Sequence, residues 1–88
     1  MNNKKLYLWQ LASFLSSHNM KMSTDELVVH LNRNNFLTSL GSDYVKGRGI
    51  YKLIRETWIW LNDDLKLPEE ARKIAKTYVK KDGTYAYE

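Results

Sequence analysis

The sequence predicts a mainly α-helical fold, a compact bundle of four helices in a single domain that spans residues 1–88. Apolar residues recur at helical spacing in successive segments, and a helix-capping sequence stands at Ser23–Glu26. The 88 residues suffice for one hydrophobic core. Because the chain has no cysteine, packed helices and aromatic side chains must stabilise that core.

The composition excludes several classes of protein. With 43% hydrophobic and 12% aromatic residues, the chain is too apolar to be disordered. No uncharged apolar run approaches the length of a transmembrane helix, so we expect no membrane partner. The absence of cysteine excludes thiol catalysis and cysteine-ligated zinc, and it fits a cytoplasmic protein. We interpret the apolar N-terminal segment as a structural helix and not a signal peptide, because polar residues interrupt it.

Periodicity and capping predict the first two helices. The first runs over about residues 4–17 and should bury Leu8, Leu11, Ala12 and Leu15. The second follows Ser23, whose side chain can accept the backbone N–H of Glu26 while Glu26 reaches back to the N–H of Ser23. It should end near Asn34 and Asn35, since Asn tolerates the left-handed conformation of a C-cap.

The third helix follows a turn at residues 36–43. Its start is expected between residues 43 and 49, because Gly47 and Gly49 disfavour a helix interior, and its end near residue 64. A helical wheel predicts a buried side made of Ile50, Leu53, Ile54, Thr57 and Leu61. The opposite side has the basic residues Arg48, Lys52 and Arg55, and Glu56 stands close enough to pair with Lys52.

The fourth helix should begin at Pro68, a residue favoured at the first helical position. Its predicted apolar stripe is Ala71, Ile74, Ala75 and Tyr78, and its basic residues are Arg72, Lys73, Lys76, Lys80 and Lys81. Residues 81–84 predict a turn with Gly83 at positive φ. Residues 84–87 are expected to pair back along residues 77–80 as a small C-terminal β-hairpin, or wing.

The sequence shows no catalytic or metal-binding pattern. Neither His18 nor His30 has an acid or a second histidine three or four residues further along its helix. The segment around Gly47 and Gly49 lacks the preceding strand and the downstream lysine of a phosphate-binding loop. We therefore expect no enzyme activity, no catalytic residues, no metal and no cofactor.

The basic residues are unevenly distributed along the chain. Residues 1–22 have a net charge of +3, residues 23–64 of −1 and residues 65–88 of +2, which gives the formal charge of +4. A short capped helix, a turn and a longer helix with a basic side follow one another as in a helix-turn-helix unit. In such a unit the second helix enters the major groove of DNA.

Arginine donates hydrogen bonds to guanine, lysine donates to guanine or phosphate, and hydroxyl groups donate to phosphate. We therefore predict DNA contacts by Ser39, Ser42, Tyr44, Lys46, Arg48, Lys52, Arg55, Lys73, Lys76, Lys80 and Lys81.

Residues 26–44 and the helix after them resemble a segment of the large serine recombinases. The matching residues are Leu31, Asn32, Phe36, Thr38 and Gly41, with Asn35 in the family's glycine position and Tyr44 in its tryptophan position. In that family the segment belongs to a DNA-binding region beside a separate catalytic domain, of which this sequence has no counterpart. The resemblance covers roughly a third of the chain. It implies a small helix-turn-helix or winged-helix DNA-binding module and does not imply recombinase activity.

Together these observations predict a small bacterial or phage protein that binds double-stranded DNA as a transcriptional regulator or accessory factor. We also expect a homodimer through the apolar first helix, because paired recognition helices match a palindromic site. The alternative is a protein-interaction module that modulates a host protein through Tyr7, Trp9, Ile59 and Trp60. A contiguous exposed aromatic patch away from the basic residues would favour the alternative.

Overall fold

The computed structural model describes residues 3–34, 36 and 49–87, and these residues form four α-helices and two short strands. The predicted mainly α-helical fold is confirmed. In chain order the elements are α1 (Asn3–Ser17), β1 (Met22–Ser23), α2 (Thr24–Arg33), α3 (Ile50–Ile59), a π-helical turn (Trp60–Asp64), α4 (Pro68–Thr77) and β2 (Tyr78–Val79). None of the described helices combines the length and the apolar character needed to cross a membrane.

Helix α1 packs against both α3 and α4. Its predicted stripe is buried at Leu8, Ala12 and Leu15 and half-buried at Leu11. The helix ends where Asn19 takes a left-handed backbone conformation with φ of 54°, and the N–H of Met20 donates to the carbonyl of Leu15 at 2.8 Å. A left-handed asparagine thus reverses the chain after α1 and directs it into β1.

Helix α2 begins where its capping sequence predicts, but among the described residues the Glu26 carboxylate contacts the Ser23 hydroxyl and not the Ser23 N–H. The Ser23 side chain accepts the N–H of Glu26 at 3.2 Å, and its hydroxyl donates to the Glu26 carboxylate at 3.4 Å. The helix ends at Asn34, as predicted, but the backbone there is not left-handed, since its φ is −94°. The Asn34 side chain donates to the carbonyl of His30 at 2.7 Å, and that carbonyl also accepts the backbone N–H of Asn34 at 3.1 Å, so two hydrogen bonds close the last turn.

Replacing Ser23 by alanine should lower the free energy of unfolding by about 1 kcal/mol, because the N–H of Glu26 loses its acceptor. Urea unfolding followed by circular dichroism measures this change. Ser23→Asp is the matched control, since its carboxylate also caps a helix, and it should retain most of the stability. Equal losses for the two variants would contradict the capping role.

Helix α3 begins at Ile50, because Gly49 before it has φ of 68° and interrupts a helical backbone. The predicted start, between residues 43 and 49, thus lies before the observed one. The predicted buried side is observed, with Ile50, Leu53, Ile54, Thr57 and Leu61 all buried. The helix continues to residue 64 as a π-helical turn, in which the N–H of Leu65 donates to the carbonyl of Trp60 at 2.9 Å.

The two strands pair in parallel, with Met22 opposite Tyr78 and Ser23 opposite Val79. The predicted wing hairpin is not confirmed: its second strand is reduced to one antiparallel bridge between Val79 and Tyr85. The predicted turn is present, since Gly83 has φ of 90° and its N–H donates to the carbonyl of Lys80 at 2.9 Å. The backbone of Tyr78 pairs with Met22 on one side, and on the other its carbonyl accepts the N–H of Ala86. Strand β2 thus pairs with β1 on one side and with residues 84–86 on the other.

Tyr78 is fully buried at the junction of α1, α4 and the two strands. Its hydroxyl donates to the backbone carbonyl of Leu8 at 2.7 Å. Burial raises the pKa of the Tyr78 phenol well above its ordinary range, and the nearby Tyr7 adds to the effect. This side chain therefore closes the core between residues that lie far apart in the sequence.

Candidate nucleic-acid interface

The outer face of α3, formed by Lys52, Arg55, Glu56 and Ile59, is exposed to solvent. It lies opposite the buried side of the same helix, as the helical wheel predicts. Lys52 and Arg55 are separated by about 4.5 Å along the helix axis, which places their charges side by side. The outer face of α3 thus presents two cations on a helix whose other side is fixed in the core.

The predicted DNA contacts Ser39, Ser42, Tyr44, Lys46 and Arg48 lie outside the described residues. Two predicted contacts on α3 are therefore placed by the structure, and both are exposed. Within residues 3–34, 36 and 49–87, no ion pair joins Lys52 or Arg55 to an acid, and the expected pair with Glu56 does not form. The two cations remain available to a ligand in this part of the chain.

The basic residues of α4 differ from one another in their partners. Arg72 lies 3.4 Å from Glu69, and Lys73 lies 3.1 Å from Glu70. Both pairs are partly exposed, so each contributes little to stability. The other predicted contacts of this region are exposed at Lys76, Lys80 and Lys81. Lys73 is thus the predicted contact whose charge is already offset.

A side-chain cluster that the sequence does not reveal joins α1 to the first turn of α4. The indole N–H of Trp9 donates to the Glu70 carboxylate at 2.8 Å, and Lys73 donates to the same group at 3.2 Å. These hydrogen bonds, that of Trp9 above all, lower the pKa of Glu70. The only sequence signal is the need of a part-buried indole for an acceptor, and it does not say which acid supplies one.

The lowered pKa of Glu70 has a consequence for stability in acid. The ionised carboxylate stabilises the fold above the ordinary pKa of glutamate, about 4.3, and that stability is lost as the pH falls through the lower pKa of the folded state. Between pH 6 and pH 3 the wild type should therefore lose more thermal stability than Glu70→Gln. Glu69→Gln is the control, because Glu69 is exposed and pairs only with Arg72. Parallel losses in all three proteins would contradict the role of Glu70.

The three tryptophans are half-buried and packed in pairs. Trp9 meets Trp60 edge to face with ring centroids 5.9 Å apart, and Trp58 stacks on Tyr87 at 5.0 Å. Tyr7 likewise packs on Phe36 at 5.1 Å. Of the four residues proposed to bind a protein partner, only Ile59 is exposed, at 40%. The tryptophans therefore contribute to internal packing more than to a free aromatic surface.

Among the residues that the structure describes, neither histidine belongs to a metal-binding group. A ring nitrogen of His18 lies 2.9 Å from the carbonyl of Phe14, at the end of α1. No group of three or more His, Cys, Asp or Glu side chains in the described residues has the arrangement of a metal site.

Comparison of the chain with protein-family models, with curated proteins and with solved structures finds no match. The charges and the geometry of this chain are therefore the basis for proposing its function.

Proposed function

We propose that this protein binds double-stranded DNA, as a transcriptional regulator or accessory factor, through the outer face of α3. The observation that supports this most is the pair of exposed cations, Lys52 and Arg55, on a helix whose opposite side is wholly in the core. A helix held in this way can enter a major groove about 12 Å wide without losing its packing. Arg55 would contact a guanine edge and Lys52 a phosphate or a guanine.

The order of the elements supports the same proposal. The capped α2 precedes α3, as the first helix of a helix-turn-helix precedes the recognition helix. Residues 34–49 connect the two helices, which is longer than the three or four residues of the tightest units. The resemblance to the DNA-binding segment of large serine recombinases falls on this same region, and we include its residues 36–44 in the proposed interface.

Phosphate contacts would come from residues beyond α3. Lys76, Lys80 and Lys81 are exposed near the end of α4, and Lys73 would contribute less because Glu70 already pairs with it. We keep Ser39, Ser42, Tyr44, Lys46 and Arg48 in the proposal as contacts of the connecting segment and the start of the recognition region. Such phosphate contacts set the position of a protein on DNA and make its affinity dependent on salt.

A titration of a fluorescein-labelled random duplex with the protein, read as anisotropy at low salt, tests the proposal. Binding should saturate in the micromolar range, and log Kd should rise linearly with log salt concentration. No binding at tens of micromolar protein would contradict the proposal, because non-specific affinity alone should be visible at low salt. A Kd that does not change with salt concentration would also contradict the proposal.

One observation favours the second candidate, a protein-interaction module that modulates a host protein or forms a homodimer. Phe14 is 57% exposed and Met20 is 52% exposed near the end of α1, and exposed large apolar residues can anchor protein interfaces. The rest of the apolar surface of α1 is largely used inside the domain. Sedimentation of the wild type and of Phe14→Ser tests the homodimer. A wild-type dimer that Phe14→Ser dissociates supports this candidate. If the wild type and the variant both sediment as monomers, the homodimer is contradicted.

A further inference from the structure

The parallel pairing of β1 with β2 joins the two basic ends of the chain. Lys21 and Thr77 each precede a paired residue, since Met22 stands opposite Tyr78. Lys21 therefore lies beside the last turn of α4, although more than fifty residues separate the two in the sequence. Its ammonium group lies 5.2 Å from the centre of the Tyr85 ring, a cation–π contact that restricts its position.

Two grooves follow the seam between α1 and α4, and Ser16 and Lys76 line both of them. One has a volume of about 220 Å³, and its other lining residues are Glu69, Arg72 and Lys73. The second, which we name the Lys21–Lys76 groove, has a volume of about 180 Å³ and is lined by Ser16, Asn19, Met20, Lys21, Lys76 and Thr77.

The two grooves differ in charge. In the first, the carboxylate of Glu69 pairs with Arg72, and Lys73 is paired with Glu70. The Lys21–Lys76 groove has two lysines and no acid in its lining, together with the hydroxyl of Ser16 and the amide of Asn19. In the part of the chain that the structure describes, neither Lys21 nor Lys76 has an acidic partner. An anion is therefore attracted to the Lys21–Lys76 groove and less so to its neighbour.

We propose that the Lys21–Lys76 groove binds a backbone phosphate of nucleic acid. Two ammonium groups and two uncharged polar side chains supply the donors that phosphate contacts use in protein–DNA complexes. The groove is several times the volume of a water molecule, about 30 Å³, and it is open to solvent. An open site of this kind binds a small free anion weakly, and it binds a phosphate of a polymer more tightly when the other phosphates of that polymer also contact the protein. That the phosphate belongs to DNA rests on the proposed function. Lys21 and Ser16 are added here to the DNA contacts proposed above.

The lysines also lie near the C-terminal end of α1, where a positive charge stabilises a helix. A purely structural role would therefore change the melting temperature and leave the salt dependence of binding unaltered. The test must read both quantities.

The test compares Lys21→Gln, Lys76→Gln and the control Lys66→Gln, which removes one positive charge at an exposed position outside both grooves. Duplex binding by anisotropy is measured over a series of salt concentrations. Each groove variant should weaken binding about 3- to 10-fold at low salt and reduce the slope of log Kd against log salt by about 0.9, the value for one phosphate contact. The control should keep the wild-type slope, and all melting temperatures should agree within about 4 °C.

Failure of this inference and failure of the proposed function give different results. If the wild type binds the duplex and both groove variants keep its slope, the groove does not hold a phosphate, and DNA binding stands without it. If no duplex binds, inorganic pyrophosphate is titrated instead, with amide NMR shifts of residues 16–21 and 76–77 as the readout. Shifts that Lys21→Gln abolishes would then support a phosphate site without a DNA function. Absence of shifts would overturn the inference.

Discussion

Replacing Tyr78 by alanine is expected to lower the free energy of unfolding by about 3–5 kcal/mol. The side chain is completely buried where α1, the end of α4 and β1 meet, so its loss leaves a large cavity. The carbonyl of Leu8 also loses the donor that lies 2.7 Å away. Since proteins of this size are stable by about 5–15 kcal/mol in total, the substitution should remove a large fraction of that stability. Urea unfolding at 25 °C measures the change.

Tyr78→Phe is the matched variant, because it keeps the ring and removes only the hydroxyl. Its expected cost is about 1 kcal/mol, the net contribution of one buried hydrogen bond, because the Leu8 carbonyl stays within the hydrogen-bonded helix α1. The raised pKa of Tyr78 adds a test in alkali: the wild type should lose stability as the pH rises above about 10, where the unfolded phenol ionises. Tyr78→Phe should lose less over the same range. A Tyr78→Ala variant within 1 kcal/mol of the wild type would contradict the central position of this side chain.

The second large effect concerns DNA affinity. Lys52→Gln and Arg55→Gln should each weaken duplex binding about 10-fold at low salt, since each removes an exposed cation from the proposed interface. Both side chains are on the surface, so the unfolding free energy should change by less than about 0.5 kcal/mol. Anisotropy titrations with Lys66→Gln as the control separate a local contact from the general loss of one charge.

Arg55→Lys tests the base contact separately, because lysine keeps the positive charge but lacks the planar guanidinium that donates two hydrogen bonds to guanine. It should bind random duplex with nearly the wild-type affinity and lose discrimination between preferred and unrelated sequences. If the two glutamine variants bind as Lys66→Gln does, the outer face of α3 is not the DNA-binding surface.

Local sequence signals predicted the helices well. The capping residues Ser23 and Glu26 fixed the start of α2, and Pro68 marked the start of α4. The spacing of Ile50, Leu53 and Ile54 identified the buried side of α3 and therefore its exposed side. These signals succeed because a helix and its caps depend on residues within about four positions of each other.

The features that the sequence did not predict depend on residues far apart in the chain. A pair of two-residue strands has no periodic signature, so the parallel pairing of Met22 with Tyr78 could not be seen, and the local hairpin was expected instead. The Trp9–Glu70 hydrogen bond and the approach of Lys21 to α4 both require the folded arrangement of α1 and α4. The left-handed Lys66, with φ of 55°, also lies at a position where the sequence has no glycine or asparagine.

The most direct test of DNA binding by the outer face of α3 is an NMR titration of the labelled protein with a random duplex at low salt. The proposal predicts that the largest amide shift changes occur at Lys52, Arg55, Glu56 and Ile59, with smaller changes at the proposed phosphate contacts Lys76, Lys80 and Lys81. Shift changes confined to the exposed residues Gln10 and Phe14 of α1, or the absence of any change, would contradict it.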